Sequence, residues 1–442
     1  MRAIDRRGGA WLGDLLGSAD FARVFTVAVL TSIAGTHAIE SIAGRATLVT
    51  IIAAECLIAV AVLVVRRREL SLLRLVPTTL LVFLLWSLAS VFWSPDAGAS
   101  LTRWVSTAAI ALLAVTIGHI RDTLQTVRAV GDVARLLLLV SLGLEVLAGV
   151  IFDMPFPFLG IRGDIAHLGP IQGVFGTRNM LGFFSVIALV TFAIELRTRS
   201  VRTGLAVASI ALATGMALLS ASPTVFVLVV AVAAVAGVLY LVRKLPLERR
   251  TPVQWSLAGV AAIGGIAAYV QRSQIIDLLG AADDLSMRTE LWRLMEFYVR
   301  RQPVQGWGWF GPWDLRESPF AVINYLLGER HTTALNAFMD VLLQLGWAGV
   351  AVFAAFFVFT FARSWLDASR RRAAVHAWTP LMVAALAVVS VFESFTLFGI
   401  GWLLLVVCAV RAGQSRSWRE RLGSRTAEPT LPSSPGGHSQ AG

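Results

Sequence analysis

Apolar stretches of about 20 residues, enough for a helix to cross a hydrocarbon core of about 30 Å, recur along this 442-residue chain from end to end. Twelve are read from the sequence, over residues 21–40, 47–65, 75–93, 103–120, 133–152, 180–196, 203–221, 223–242, 252–270, 335–362, 376–394 and 396–411. Hydrophobic residues make up 57% of the chain and charged ones 15%, against roughly 25% charged in soluble domains. A surplus of that size needs lipid to face. The predicted fold is an all-α polytopic membrane protein of about twelve transmembrane helices. Cys56 and Cys408 both lie inside apolar runs, so neither a disulfide framework nor a thiolate metal site is implied.

The net charge of +11 raises nucleic acid or anionic lipid as partners, and the placement of the basic residues decides between them. Arg66–Arg68, Arg197 with Arg199 and Arg202, Arg243–Lys244 with Arg249–Arg250, and Arg370–Arg372 all fall on alternate loops. Basic clusters mark cytoplasmic loops, so both termini are predicted to be cytoplasmic. The charge then reports topology, with membrane lipids as neighbours and no nucleic acid. Residues 1–20 read as a polar N-terminal lead without the small-residue cleavage site of a secretory signal. Residues 21–411 form the transmembrane domain, and 412–442 a cytoplasmic tail. The tail's end, rich in Pro, Gly and Ser from Arg425 on, is predicted to be disordered.

Two extracytoplasmic loops are long, 153–179 and 271–334, and long loops on one face are where such a protein would keep its chemistry. In the larger loop, Leu291, Leu294, Met295 and Tyr298 recur at helical spacing, predicting an amphipathic helix lying on the membrane surface. Arg288, at its start beside Asp283 and Asp284, either faces water and lipid phosphate with the other arginines or grips a phosphate ligand with paired donors. Trp307, Trp309 and Trp313 read as interfacial anchors or as a platform for sugar rings. Arg178 and Asn179, flanked by glycines at the mouth of the sixth span, either snorkel to phospholipid or meet a ligand closely. Asn336, Asp340 and Gln344 repeat every four residues and so share one helical face entering the membrane. Polar groups at that depth face a cavity or a partner helix. Glu393, Glu145 and Glu55 are candidates for the same cavity.

The order of these motifs carries a resemblance. Gly173-Val-Phe-Gly-Thr-Arg-Asn-Met-Leu-Gly182 is followed by Ser220-Ala-Ser-Pro-Thr224, then by Arg288-x-x-x-Trp292 with Pro303 and Gly306-x-Gly308. Asn336, nine residues and Gly346-x-x-Gly349 complete the series. Over roughly residues 75–410 the chain resembles the O-antigen ligase and polymerase family, including similar exopolysaccharide polymerases. The resemblance implies a GT-C-like, metal-independent, inverting-type glycosyltransferase in the bacterial cytoplasmic membrane, needing no cofactor. Such an enzyme moves a glycan from a polyprenyl-diphosphate donor to a hydroxyl of an acceptor glycan or lipid on the outer face.

That chemistry asks for fixed positive charge at the diphosphate, assigned to Arg178 and Arg288 with Arg162 and Arg330 behind them, and for a base at the acceptor hydroxyl. Asn179, Trp292 and Asn336 complete the substrate-binding candidates. Two positions depart from the family pattern. Its histidine before the nine-residue spacer is Leu335 here, and the basic residue often found in its Ser-x-Ser motif is Pro223. His331, four residues before Leu335, would share its face one turn or about 5.4 Å outward on a continuous helix and is the first candidate base, followed by Asp340 and Glu393. A non-enzymatic twelve-span transporter or flippase of lipid-linked glycans is the alternative. A cell-wall glycan polymerase, working through Asp283 or Asp284, is a third possibility.

Overall fold

The computed structural model describes residues 14–67, 75–246, 248–257, 259 and 282–414. Lipid leaves a spanning backbone no partner but itself, and the described residues are accordingly helical, with a single β-bridge, Phe156 to Ile161, outside the helices. The main helices are α1 (Ala19–Ala34), α2 (Thr36–Val65), α3 (Thr78–Ala89), α4 (Ala97–Ile120), α5 (Thr123–Val146), α6 (Arg178–Thr198), α7 (Thr203–Leu219), α8 (Pro223–Lys244), α9 (Ala282–Arg301), α10 (Phe320–Leu327), α11 (Ala337–Arg370), α12 (Trp378–Phe392) and α13 (Gly399–Gln414). Their starts are written in the sequence. Ser18, Asp96, Thr177 and Asn336 each accept a backbone N–H of the helix they precede, Asp122 and Gln125 form a capping box on α5, and Pro223 opens α8.

Among the described residues seven helices are long and apolar enough to cross a membrane, and three shorter apolar ones accompany them, Thr78–Trp93, Thr203–Leu219 and Gly399–Gln414. The span predicted over 252–270 lies largely outside the described residues, as do most of the N-terminal lead and the tail. The first predicted span, 21–40, is corrected: α1 stops at Ala34 and α2 begins at Thr36. A second break follows at Gly44, whose φ of +83° interrupts α2.

The helix ends sort into two groups. At one, called the lower end, Arg66 reaches the Gly17 carbonyl, Arg121 the Ala19 carbonyl, Arg128 the Ser200 carbonyl, Arg243 the Ala368 carbonyl and Gln414 the Gly118 carbonyl. Both ends of the described chain and most of the basic clusters therefore gather there. At the upper end lie the starts of α6, α8 and α11, the finish of α12, and α9.

The helix predicted from Leu291, Leu294, Met295 and Tyr298 is present as α9, but its apolar face is occupied by protein and not by lipid alone. Leu291, Met295 and Val299 are buried with Phe310, Trp313, Leu342 and Leu343. The tryptophan segment is likewise neither anchor nor platform. Trp309 is fully buried against Phe83, ring centroids 5.6 Å apart, and donates to Thr107 at 3.0 Å, while Trp313 packs on Phe320. The segment plugs the bundle from above.

The plug is seated by a crossing of two backbones. Gly346, at φ +66°, breaks α11, and a break leaves amide groups without helical partners. Trp307 and Gly308 donate to the carbonyls of Leu343 and Gln344, and Trp347 donates to that of Pro303. A Cβ on Gly346 would stand 2.2 Å from the Val304 carbonyl oxygen, and one on Gly306 2.4 Å from Gln344 backbone carbon. The two glycine motifs thus face each other across one contact. Gly346→Ala is expected to destabilise the protein by about 3 kcal/mol through the left-handed backbone and the clash, read as a lowered melting temperature in detergent; an unchanged melting curve would show that the crossing tolerates separation.

Candidate active site

Four of the motif segments meet at the upper end. Thr177 caps α6 and so sets Asn179 in its first turn, where its amide nitrogen donates to Glu393 Oε1 at 2.7 Å and its amide oxygen accepts from Ser222 Oγ at 2.8 Å. Ser222 stands at the turn before α8. From α9, Arg288 Nη1 donates to the Leu335 carbonyl at 2.7 Å and to the Phe392 carbonyl, and Nη2 lies 3.4 Å from Glu393 Oε1. Trp292, one turn further, donates to the Ala334 carbonyl at 2.8 Å. Asn336 caps α11 with its oxygen and gives its nitrogen to the Val391 carbonyl. Ser222, Asn179, Glu393 and Arg288 thus form one chain of contacts joining α6, α8, α9 and the end of α12, with the start of α11 tied to it.

Glu393 is 4% exposed, and a carboxylate this deep is stable only with a positive or donor partner. Arg288 and Asn179 supply both. Through Nη1, shared between the Leu335 and Phe392 carbonyls, Arg288 fastens the start of α11 to the end of α12.

Beside this network a cavity of about 250 Å³ is lined by Arg162, Arg178, Glu145, Asp164 and Gln172, among others. Arg178 and Arg162 are exposed, and Arg178 is the neighbour of Asn179, so the cavity and the network adjoin through consecutive residues. Glu145 is 1% exposed and accepts the backbone N–H groups of Gln172 and Gly173, fixing the loop that carries the arginines. The flanking glycines let this loop approach protein and not only ligand: a Cβ on Gly176 would lie 2.6 Å from His37 Nδ1. Glu55 belongs elsewhere, bound to Ser32 between α1 and α2.

The three candidate bases are separated by the structure. Asp340 is fully buried, accepting from Trp313 Nε1 at 2.6 Å, Ala334 N at 3.0 Å and Ser394 Oγ. Gln344, equally buried, holds the backbone of Phe310 and Gly311. Asp340 and Gln344 therefore grip the plug instead of lining a cavity, Asp340 as a structural acceptor, while Asn336 ties the start of α11 to the end of α12. His331 does not continue α11, because residues 328–336 are non-helical and Leu335 has φ +54°. His331 Nε2 sits 3.0 Å from Glu329 Oε2, and its backbone N–H goes to Asn324 Oδ1 at 2.5 Å. Arg330, exposed beside it, is not among the residues lining the arginine cavity. The side chains of Asp283 and Asp284 lie outside the described residues.

Sequence reasoning missed Ser222 and Gln172 as site residues. Ser222 had a signal, since its motif was recognised as a unit; Gln172 had none, its role coming from a backbone contact to Glu145.

No curated protein matches the chain. Residues 208–354 match the family model described as O-antigen ligase, a segment that holds Ser222, Arg288, Trp292, His331 and Asn336, whereas Arg178, Asn179 and Glu393 lie outside it. The match covers about a third of the chain, and together with the membrane-helical architecture it supports a membrane glycan-processing enzyme.

Proposed function

We propose that this protein is a glycosyltransferase of about twelve spans in the bacterial cytoplasmic membrane, both termini cytoplasmic. It transfers a glycan from a polyprenyl-diphosphate donor to a hydroxyl of an acceptor glycan or lipid at the outer face. The observation that carries the reading is the meeting of Ser222, Asn179, Arg288, Asn336 and Glu393 beside a cavity bearing Arg162 and Arg178.

In the proposed reaction the acceptor oxygen bonds to the anomeric carbon of the donor glycan as the bond from that carbon to the diphosphate oxygen breaks. The electron pair leaves with the polyprenyl diphosphate, and the hydroxyl proton passes to a base. Arg178 and Arg162 stabilise the charge growing on the leaving group. Asn179 and Glu393, locked to each other and to Arg288, fix the first turn of α6 and so the direction of Arg178. His331 is the proposed base, with Glu329 Oε2 orienting the imidazole through its contact to Nε2. Glu393, saturated by its partners, acts through position.

A strain lacking the protein tests the assignment through the length distribution of its surface polysaccharide. Single units without long chains mark a polymerase, and full-length chains accumulating on the polyprenyl carrier mark a ligase. An unaltered profile rejects both. His331→Gln is expected to lower transfer by roughly a hundredfold with the protein inserted at normal abundance; wild-type transfer by that variant removes His331 from the role.

A further inference from the structure

The lower end holds a second cavity, of about 310 Å³, lined by Arg23, Arg121, Gln125, Arg128, Asp132 and Ser200, with two neighbours. It sits where α1 begins, α4 ends, α5 begins and α6 has just ended. The 21 residues of α6, rising about 1.5 Å each, separate it from the Arg178 cavity. Nothing in the proposed transfer reaction uses it.

Two of its groups are unsatisfied. Arg121 is 8% exposed, gives Nη1 to the Ala19 carbonyl at 3.4 Å, and keeps Nε buried with no hydrogen-bond partner among the described residues. Ser200 Oγ is buried in the same condition. Buried donors are nearly always paired, and an unpaired guanidinium edge is among the costlier exceptions. Burial also pulls the Arg121 guanidinium below its ordinary range. Arg128 Nη2 holds the Ser200 carbonyl at 2.5 Å, which brings that exposed guanidinium to the Ser200 side of the cavity.

The charge balance favours an anion. Asp132 is the single acid in the lining, and its carboxylate lies 3.5 Å from Arg23 and 3.1 Å from Arg135. Its charge is thereby compensated; the carboxylate of Asp122 acts on the neighbouring Arg121, and the exposed guanidinium of Arg128 remains in excess. A tetrahedral oxyanion satisfies several guanidinium N–H groups at once and accepts from a hydroxyl as well.

We propose that this cavity binds a phosphate-bearing anion, either the headgroup of an acidic phospholipid in the adjoining leaflet or free phosphate, through Arg121, Arg128 and Ser200. The site is independent of the transferase reading, and its test does not measure transfer.

The full-length protein is reconstituted in nanodiscs of phosphatidylcholine with and without phosphatidylglycerol, and retained lipid is counted by native mass spectrometry after release into detergent. A parallel arm titrates inorganic phosphate in phosphatidylcholine alone and follows thermal unfolding. Retention of phosphatidylglycerol identifies a lipid headgroup, and stabilisation by phosphate alone identifies a soluble anion. Arg121→Gln is expected to weaken either response roughly tenfold or more, and Arg128→Gln to weaken it severalfold. Arg128 is exposed, so its variant keeps the test decisive if Arg121→Gln folds poorly. No response above the phosphatidylcholine background, or a response that both variants leave intact, overturns the proposal.

Discussion

Arg178→Ala is expected to abolish detectable glycan transfer, a loss of roughly a hundredfold or more, while the protein inserts, accumulates and unfolds like the wild type. Arg178 lies in the first turn of α6 with its side chain exposed to the cavity, so its truncation removes little packing. What it removes is a fixed positive charge where the leaving diphosphate is proposed to develop negative charge, and a donor aimed at such a point typically contributes two to three orders of magnitude. Arg178→Lys keeps the charge but loses the planar pair of donors, and is expected to fall between, about tenfold below wild type. The measurement is transfer from a polyprenyl-diphosphate-linked glycan by protein reconstituted in lipid, with turnover and donor saturation separated. The loss should fall on turnover, because the charge is complete only as the bond breaks. A variant with wild-type turnover would sink the assignment of this cavity to the diphosphate.

Much of this molecule is legible in the sequence because lipid simplifies the rules. Long apolar stretches have to be helices, and caps such as Asp122, Thr177 and Asn336 mark where several begin. Glu393 stood out for the same reason: an acid near a span's end is costly and is kept only for a purpose. What stayed hidden was set by contacts distant in sequence. Asp340 and Gln344 do share one helical face, yet the space beside it is filled by Phe310, Gly311 and Trp313, which no periodicity can reveal. His331 would share the face of Leu335 only if α11 began six residues earlier, and Leu335 at φ +54° turns the chain away first. Arg288 stands out in the sequence, but its bonds to the backbone carbonyls of Leu335 and Phe392 leave no mark there.

Arg288 is expected to give the second large effect, and a double substitution separates its possible meanings. Arg288→Ala takes the guanidinium away from the buried Glu393 carboxylate and strips the Leu335 and Phe392 carbonyls of a donor, at a cost of about 3–5 kcal/mol. Loss of transfer in that variant would follow from damage as readily as from mechanism. Pairing Arg288→Met with Glu393→Gln removes both charges and keeps the volume, and replacing both members of a buried pair is often close to neutral. The double variant is therefore expected to regain about 2 kcal/mol or more over Arg288→Ala, seen as a recovered melting temperature. Transfer is expected to stay absent, because methionine cannot tie the Leu335 carbonyl to that of Phe392 and so cannot hold the start of α11 against the end of α12. Recovery of activity along with stability would reduce Arg288 to a structural ion pair, and the site would then have to be rebuilt around Arg178 and Arg162 without it.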